Sequence, residues 1–308
     1  MSADPAGADA AGDATPAAPM RPERPRWRET LGLLARNPTA VVAAGVITLV
    51  VLVAVFDDLV APTDGLGVSI PDRLLPPSLA HPFGTDELGR DVLSRVVLGA
   101  SVSLRVGLVA VGISLLVGTT TGLVAGFYGR WVDDVLMRVM DMLFAFPAVL
   151  LAIAVLAVLG PGTTNATIAI GVVYIPIFAR VTRSSVLSVR EEVYVRASRS
   201  VGAGDLRLLV RHVLPNAAPP VIVQTSVSLA FAVLSEAALS FLGLGTQPPS
   251  PSWGLMLAEG RGFIQVAWWM SVFPGLAIFL LVLSFNLLGD GLRDVLDPRQ
   301  RTAMGGGR

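Results

Sequence analysis

Residues 191–220, EEVYVRASRSVGAGDLRLLVRHVLPNAAPP, decide how the rest of this chain is read. Arg190, Arg196, Arg199, Arg207 and Arg211 crowd into or beside this stretch, while long apolar runs flank it on both sides. A segment so polar between two membrane-length runs must lie in water on one side of a bilayer. Its pattern predicts a short helix, a break at Gly202-Ala203-Gly204, a second short helix capped by Asp205, and a long helix beginning at Pro215. Asp205 can accept from free first-turn N–H groups, and proline suits a helix start because its missing N–H has no helical partner there. The expected product is a helix-turn-helix elbow projecting from the membrane, with small residues at its bend. Such an element is built to dock another protein.

Composition sets the class. Of 308 residues, 53% are hydrophobic and only 15% charged, with a mean hydropathy of +0.68. A soluble domain of this size would expose too much apolar surface, so the chain reads as an all-α integral membrane protein. Net charge is zero, which gives no reason to expect a nucleic-acid partner. There is no cysteine, and with it go disulfides, thiolate metal sites and cysteine nucleophiles. Every positive side chain is arginine. A chain without lysine has no Walker A loop, so any dependence on ATP must come from a partner.

Along the chain, residues 1–20 are rich in Ala, Pro, Gly and Asp and read as disordered. Arg21, Arg24, Arg26, Arg28 and Arg36, with Trp27, follow as a basic flank that keeps this 1–38 segment cytoplasmic. Residues 39–56 are the first span, retained because no small-residue cleavage site follows a short apolar core. Residues 57–98 then form an extracytoplasmic loop in which Asp86, Glu87 and Asp91 offset Arg90 and Arg95. His81 lacks partners at metal-ligand spacing and reads as a loop residue.

Span two, about 101–125, carries Gly107, Gly112, Gly118 and Gly122, small residues that let helices approach closely. Residues 126–141 return to the cytoplasm with Arg130 and Arg138. Span three, about 143–159, begins through Pro147, where a kink is expected. An outer turn at Gly160-Pro161-Gly162 leads to span four, about 166–186, which ends inside at Arg180 and Arg183. After the elbow comes span five, about 217–243, holding Glu236. An acid at membrane depth reads either as a functional site or as a packing residue hydrogen-bonded to Ser235 and Ser240. An outer loop then re-enters the membrane face up to Trp268 and Trp269 at the interface, and span six covers about 270–288. The count is six spans, with both termini cytoplasmic.

These residues also carry a family resemblance. Ala197, Gly202, Leu214 and Pro215 are similar to the cytoplasmic EAA loop of ABC importer permeases, where a glycine is followed about a dozen residues later by Leu-Pro. Arg196 stands where that loop usually has Glu, and Ser198 where it has Ala. That departure touches the acid's contact and not the fold of the loop. Outside, Gly84, Thr85, Asp86, Gly89, Arg90 and Asp91, completed by Ser94, Arg95, Gly99, Ser103 and Leu104, resemble the signature of the dipeptide, oligopeptide and nickel branch. The runs from Ser235 to Gly254 and from Asn286 to Arg299 resemble the same branch, so four motifs stand in the expected order.

The resemblance implies a C-type permease subunit with the type I ABC importer permease fold, having a five-helix core over 99–292, a coupling loop at 188–215 and a cytoplasmic tail at 293–308. In that loop Arg196, Ala197, Ser198, Gly202, Ala203, Leu214 and Pro215 would form the coupling helix seated in a groove of an ATPase. The implied partners are a homologous second permease subunit, two ATPase subunits that bind ATP and magnesium, an extracellular solute-binding protein and the lipid bilayer of a bacterial cytoplasmic membrane. No metal, cofactor or catalytic residue is implied on this chain. Glutathione and nickel importers share these motifs. A secondary transporter would need facing ionisable groups along the spans, and apart from Glu236 and Asp141 these spans lack them. A membrane enzyme has still less support, with no cysteine, two scattered histidines and no paired carboxylates in one span.

Overall fold

The computed structural model describes residues 32–296. The expectations for residues 1–31 and for the end of the tail, including Asp297, Pro298 and Arg299, lie outside the described residues. Within them the chain is helical, and its extended pairing is limited to a bridge between Thr85 and Asp91.

Helix α1 (Pro38–Val55) starts where Asn37 caps it, its Oδ1 accepting from Thr39 N and Ala40 N at 3.1 and 3.3 Å. Most of this helix is exposed; Ala40 and Ala43 are buried, and Ile47, Val50, Val53 and Ala54 pack against the bundle core. Helix α2 (Val92–Tyr128) is far longer than the span expected from hydropathy, because Asp91 caps it well outside the apolar run. Helix α5 (Thr163–Arg190) packs along α2 through a glycine row. A Cβ on Gly118, Gly122 or Gly126 would collide with α5 at Ile175 and Phe178, at Ala179 and Thr182, or at Val186. These positions recur every four residues, so the backbones touch along one stripe. Gly107 meets only Val233, and Gly112 faces open space, so those two expected packing residues are not on the stripe.

Between α2 and α5 the expected third span takes another form. Most of residues 126–141, expected as the return to the cytoplasm, and the start of the expected span form helix α3 (Arg130–Phe144), and helix α4 (Ala148–Leu159) has only 12 residues. The two meet at 92° across the break before Pro147. Proline removes an N–H and pushes the preceding residue out of the helical region, so the chain turns a corner where a kink is expected. At about 18 Å, α4 alone is short for a hydrocarbon core of about 30 Å. Five helices are long and apolar enough to cross a membrane, and the bent α3–α4 pair makes up to six.

After α5 come helix α6 (Val193–Ser200), a break, and a single turn at Asp205–Leu208. This turn does not end before the next span. A π turn at Leu209–Val213 joins it to helix α7 (Leu214–Phe241), so 37 residues run as one rod. At the π turn the N–H of Leu214 reaches back to Leu209 O. The wider register absorbs the missing N–H of Pro215, which therefore sits inside the rod. Helix α8 (Trp253–Gly260) packs on α7 and on helix α9 (Trp269–Leu296). One buried cluster joins α2, α7, α8 and α9, and a second joins α2, α4, α5 and α7.

Candidate functional site

The elbow is rigid from below and open above. Beneath it, Phe127, Val186, Val195, Leu208, Leu209, Val213 and Ala217 form a buried cluster drawn from the ends of α2, α5 and α7 as well as from the elbow itself. The Arg190 guanidinium donates to Gly126 O at 2.7 Å, pinning the end of α5 to α2. Arg199 lies 5.2 Å over the Phe127 ring. On the outer side Val193, Val201 and Leu206 are 73%, 86% and 75% exposed, set among Arg196, Arg207 and Arg211. Hydrophobic side chains held out in water on a rigid base are a surface prepared for a partner.

The bend follows from Gly202. Its φ of +86° belongs to the left-handed region, and a Cβ there would meet open space. The Gly202 N–H donates to Arg199 O and the Ala203 N–H to Ser198 O, closing α6 in the manner of a glycine C-cap. Ala197 and Arg196 face solvent, and the Ser198 hydroxyl donates to Tyr194 O at 2.8 Å. Leu214 and Pro215 lie beyond the π turn, at the foot of α7. Asp205 is not the cap expected of it. Gly204 holds the N-cap position, and the Asp205 carboxylate lies 3.9 Å from Arg199.

The other end carries the opposite arrangement, with its charges buried. Asp86 accepts from the N–H groups of Leu88 and Arg90 at 2.9 Å each, and its second oxygen lies 2.6 Å from Arg90 Nε. Arg90 also reaches Glu87 at 3.2 Å. Arg95, 1% exposed, is 2.7 Å from Glu259 on α8. Burial pushes the Glu259 carboxyl above the usual carboxylate range, while Arg95 and Arg90 pull it back. The carboxylates of Asp86, Glu87 and Glu259 converge as a metal site would, but the two guanidiniums already sit among them and supply the positive charge.

Asp91 accepts from Ser94 N and from the Ser94 hydroxyl at 2.8 Å, and its other oxygen lies 3.0 Å from His81 Nδ1. His81 is the loop residue expected, and its loop folds back to bring it to Asp91, ten residues on. Gly84 and Gly89 have φ of +73° and +76°. A Cβ on Gly84 would strike Trp269 and Leu75 O, and one on Gly89 would strike Ser69 O. Thr85 donates to Asp72 O, and its carbonyl accepts from Trp269 Nε1 at 3.0 Å. Trp269 is thus a buried clamp on the signature loop and not an interfacial anchor, because its N–H has found a protein acceptor. Trp268 is the exposed member of the pair.

Glu236 is 1% exposed and, among the described residues, has no basic partner. Ser240 donates to it at 2.7 Å, Ser103 at 3.2 Å and Thr246 at 3.4 Å. Ser240 is one of the two partners expected. Ser235 instead points about 100° round the helix and pairs with the Tyr174 hydroxyl at 3.0 Å. Glu236 thereby ties α2, α7 and the outer loop after α7 into one network.

The family described as binding-protein-dependent transport system inner membrane component matches residues 118–302. This chain belongs to that family. The N-terminal transmembrane domain of oligopeptide transport permease C matches residues 26–77 of the same permease. It is 48% identical over 276 residues to the dipeptide transport system permease protein DppC of Alkalihalophilus pseudofirmus, covering 90% of this chain and 91% of that one. It is 44% identical to the glutathione transport system permease protein GsiD of Pectobacterium atrosepticum, over 91% of this chain and 93% of the other. The protein of that name from Escherichia coli O157:H7 is 46% identical over the same shares. Among solved structures, a chain of the MetNI methionine ABC transporter in inward-facing conformations superposes with a TM-score of 0.55 at 17% identity, over 67% of this chain and 97% of that one. An amino acid ABC transporter with histidines gives 0.52 at 14% identity, over 65% and 94%. The helical fold is shared with these ABC transporter chains.

In this permease the seven elbow residues fall on one arm, but not on one surface. Gly202, Ala203 and the exposed part of α6 lie at the tip, while Leu214 and Pro215 stand at the base. Gly84, Thr85, Asp86, Gly89, Arg90 and Asp91 come together in a single folded loop. Glu259 is the member of the outer cluster that the sequence reading missed. Its one signal was an unpaired acid between apolar runs, with two outer arginines nearby only in space.

Proposed function

We propose that this permease is one of two membrane-embedded subunits that form the translocation path of an ATP-driven importer of di- and oligopeptides in a bacterial cytoplasmic membrane. The observation that carries this reading is the 48% identity to a dipeptide permease over nine-tenths of both chains. With α3 and α4 counted as one broken span, the chain crosses six times and both termini are cytoplasmic, the topology that places the arginine-rich elbow inside and the buried charge cluster outside.

A homologous second permease completes the path, two ATPase subunits bind ATP and magnesium, and an extracellular solute-binding protein delivers the solute. No step of bond chemistry falls to this chain. Its part is mechanical. The elbow shares a buried cluster with α2, α5 and α7, and α7 continues from the elbow without a loop. An ATPase gripping Val201, Leu206 and the glycine bend therefore moves whole helices as levers, and closing the ATPase pair reopens the cavity outward. The glutathione relatives at 44% and 46% identity favour a second reading within the same mechanism, since glutathione is itself a short peptide.

Uptake of labelled dipeptides, glutathione and nickel, in cells lacking this chain and restored with it, tests the proposal. Peptide or glutathione uptake that needs both the chain and ATP supports it. Nickel uptake alone changes the substrate, and uptake that survives ATP depletion points to a secondary transporter.

A further inference from the structure

Arg105 lies on α2 within the stretch expected to be the second span, about 101–125, and no described residue pairs with it. Two contacts fix its level. Ser103 donates to Glu236 just outward of it, and Gly107 meets Val233 just inward, so Arg105 stands below the outer end of α7 at Phe241. A guanidinium at such a level is costly unless it serves a partner or a water-filled path.

Arg105 borders a cavity of about 420 Å³, within the usual range for small-molecule sites. Thr163, Thr164, Thr167, Thr246 and Ser250 supply polar wall, and valines of α2 supply apolar wall. No acid lines it. The first turn of α5 forms one edge. Its N-cap is Gly162, which has no side chain to cap with, and the first backbone bond within the helix start runs from Ala166 N to Gly162 O. The N–H groups of Thr163, Thr164 and Asn165 are thus left without helical acceptors.

The hydroxyls divide in a telling way. Thr167 donates to Thr163 O, and Thr163 donates to Thr246, which donates to Glu236. Those protons are turned back into the protein. The guanidinium, the open first turn of α5 and the Thr164 and Ser250 hydroxyls remain to face the cavity. The hydroxyls can donate or accept, whereas the guanidinium and the first-turn N–H groups only donate and carry positive charge.

We propose that this cavity is a carboxylate subsite on the translocation path. Arg105 takes the free carboxylate of a short peptide in a two-pronged pair, the first turn of α5 and Thr164 add donors, and the valines of α2 accept the adjoining side chain. The subsite rests on the importer reading. It adds to that reading the chemical feature of the solute which this chain itself inspects, after the binding protein has released it. Arg105 is exposed where it borders the cavity, and water entering with the solute would keep the pair weak enough for onward movement.

The test uses the complete transporter in proteoliposomes, with its partner subunits and binding protein, and follows a radiolabelled dipeptide and labelled glutathione. Arg105→Gln is expected to slow uptake about tenfold, the ratio set by losing one charge-assisted pair. Arg105→Lys, which keeps the charge and loses the fork, is expected to slow it about threefold. Both variants are expected to copurify with the second permease as the wild type does. Uptake by Arg105→Gln at the wild-type rate overturns the subsite and leaves the importer reading standing. Loss of copurification in Arg105→Gln, restored in Arg105→Lys, also overturns it by assigning Arg105 to an acid of the second permease. A wild-type complex that imports neither solute overturns the importer reading and the subsite together.

Discussion

The two ends of this permease handle charge in opposite ways. At the signature-loop end, Asp86, Arg90 and Arg95 are buried and paired, and the cluster is closed by Glu259 from a helix more than a hundred residues away in sequence. At the elbow, Arg196, Arg207 and Arg211 lie in solvent, and hydrophobic residues share the exposed surface with them. Buried pairs are unforgiving, because removing one partner strands the other in a low dielectric. They therefore suit a part that must hold one shape. Exposed charge with exposed apolar surface does little for the isolated fold, and it suits a part whose energy is realised on binding. The signature-loop cluster is satisfied within this chain, whereas the elbow leaves apolar surface uncovered.

If that contrast is right, mutations at the two ends should fail differently. The largest effect is expected from Gly202→Arg, which should abolish ATP-driven transport. The protein should still insert and keep most of its stability, losing about 1 kcal/mol to a left-handed residue with a side chain. Transport together with ATPase copurification checks this, and normal transport would remove the elbow from the coupling path. Next comes Arg95→Ala, expected to cost about 3–5 kcal/mol by leaving Glu259 and Asp86 short of a buried counter-charge. Thermal unfolding in detergent reads that loss. A double change with Glu259→Ala should recover part of it, and additive losses would show that the pair is not coupled. The smallest effect is expected from Glu236→Gln, about 1 kcal/mol, because the amide keeps one acceptor for Ser240 and the shape is unchanged. A well-assembled but inactive Glu236→Gln protein would give the acid a role in transport instead of in tying the outer loop to α2.

Much of the elbow was legible because its determinants are local. Gly202 turns the chain by its own conformational freedom, and the arginines forbid burial in lipid wherever the helices go. The outer loop was half legible. Asp86, Arg90 and Asp91 are neighbours in sequence and cap their own turn, so their pattern announces itself. Glu259 and Trp269 join them only after α8 and α9 have folded back, and nothing near those residues in sequence records the meeting. The α3–α4 corner was misread for a related reason. Hydropathy reports how apolar residues 143–159 are, not how sharply the chain turns before Pro147. The rod through the π turn was missed because a proline reads the same at a helix start and just beyond a widened turn.

By itself, then, the amino-acid sequence determined that this chain is a helical membrane protein, that the arginine-rich stretch after α5 is too charged to be buried in lipid, and where that stretch bends. Those outcomes depend on transfer energies and backbone preferences that each short stretch carries with it. Only the tertiary structure decided which glycines form the α2–α5 stripe, which acid answers Arg95, and that Arg105 borders a cavity walled by threonines and valines. Those facts depend on distances between segments far apart in the chain, and packing alone sets such distances.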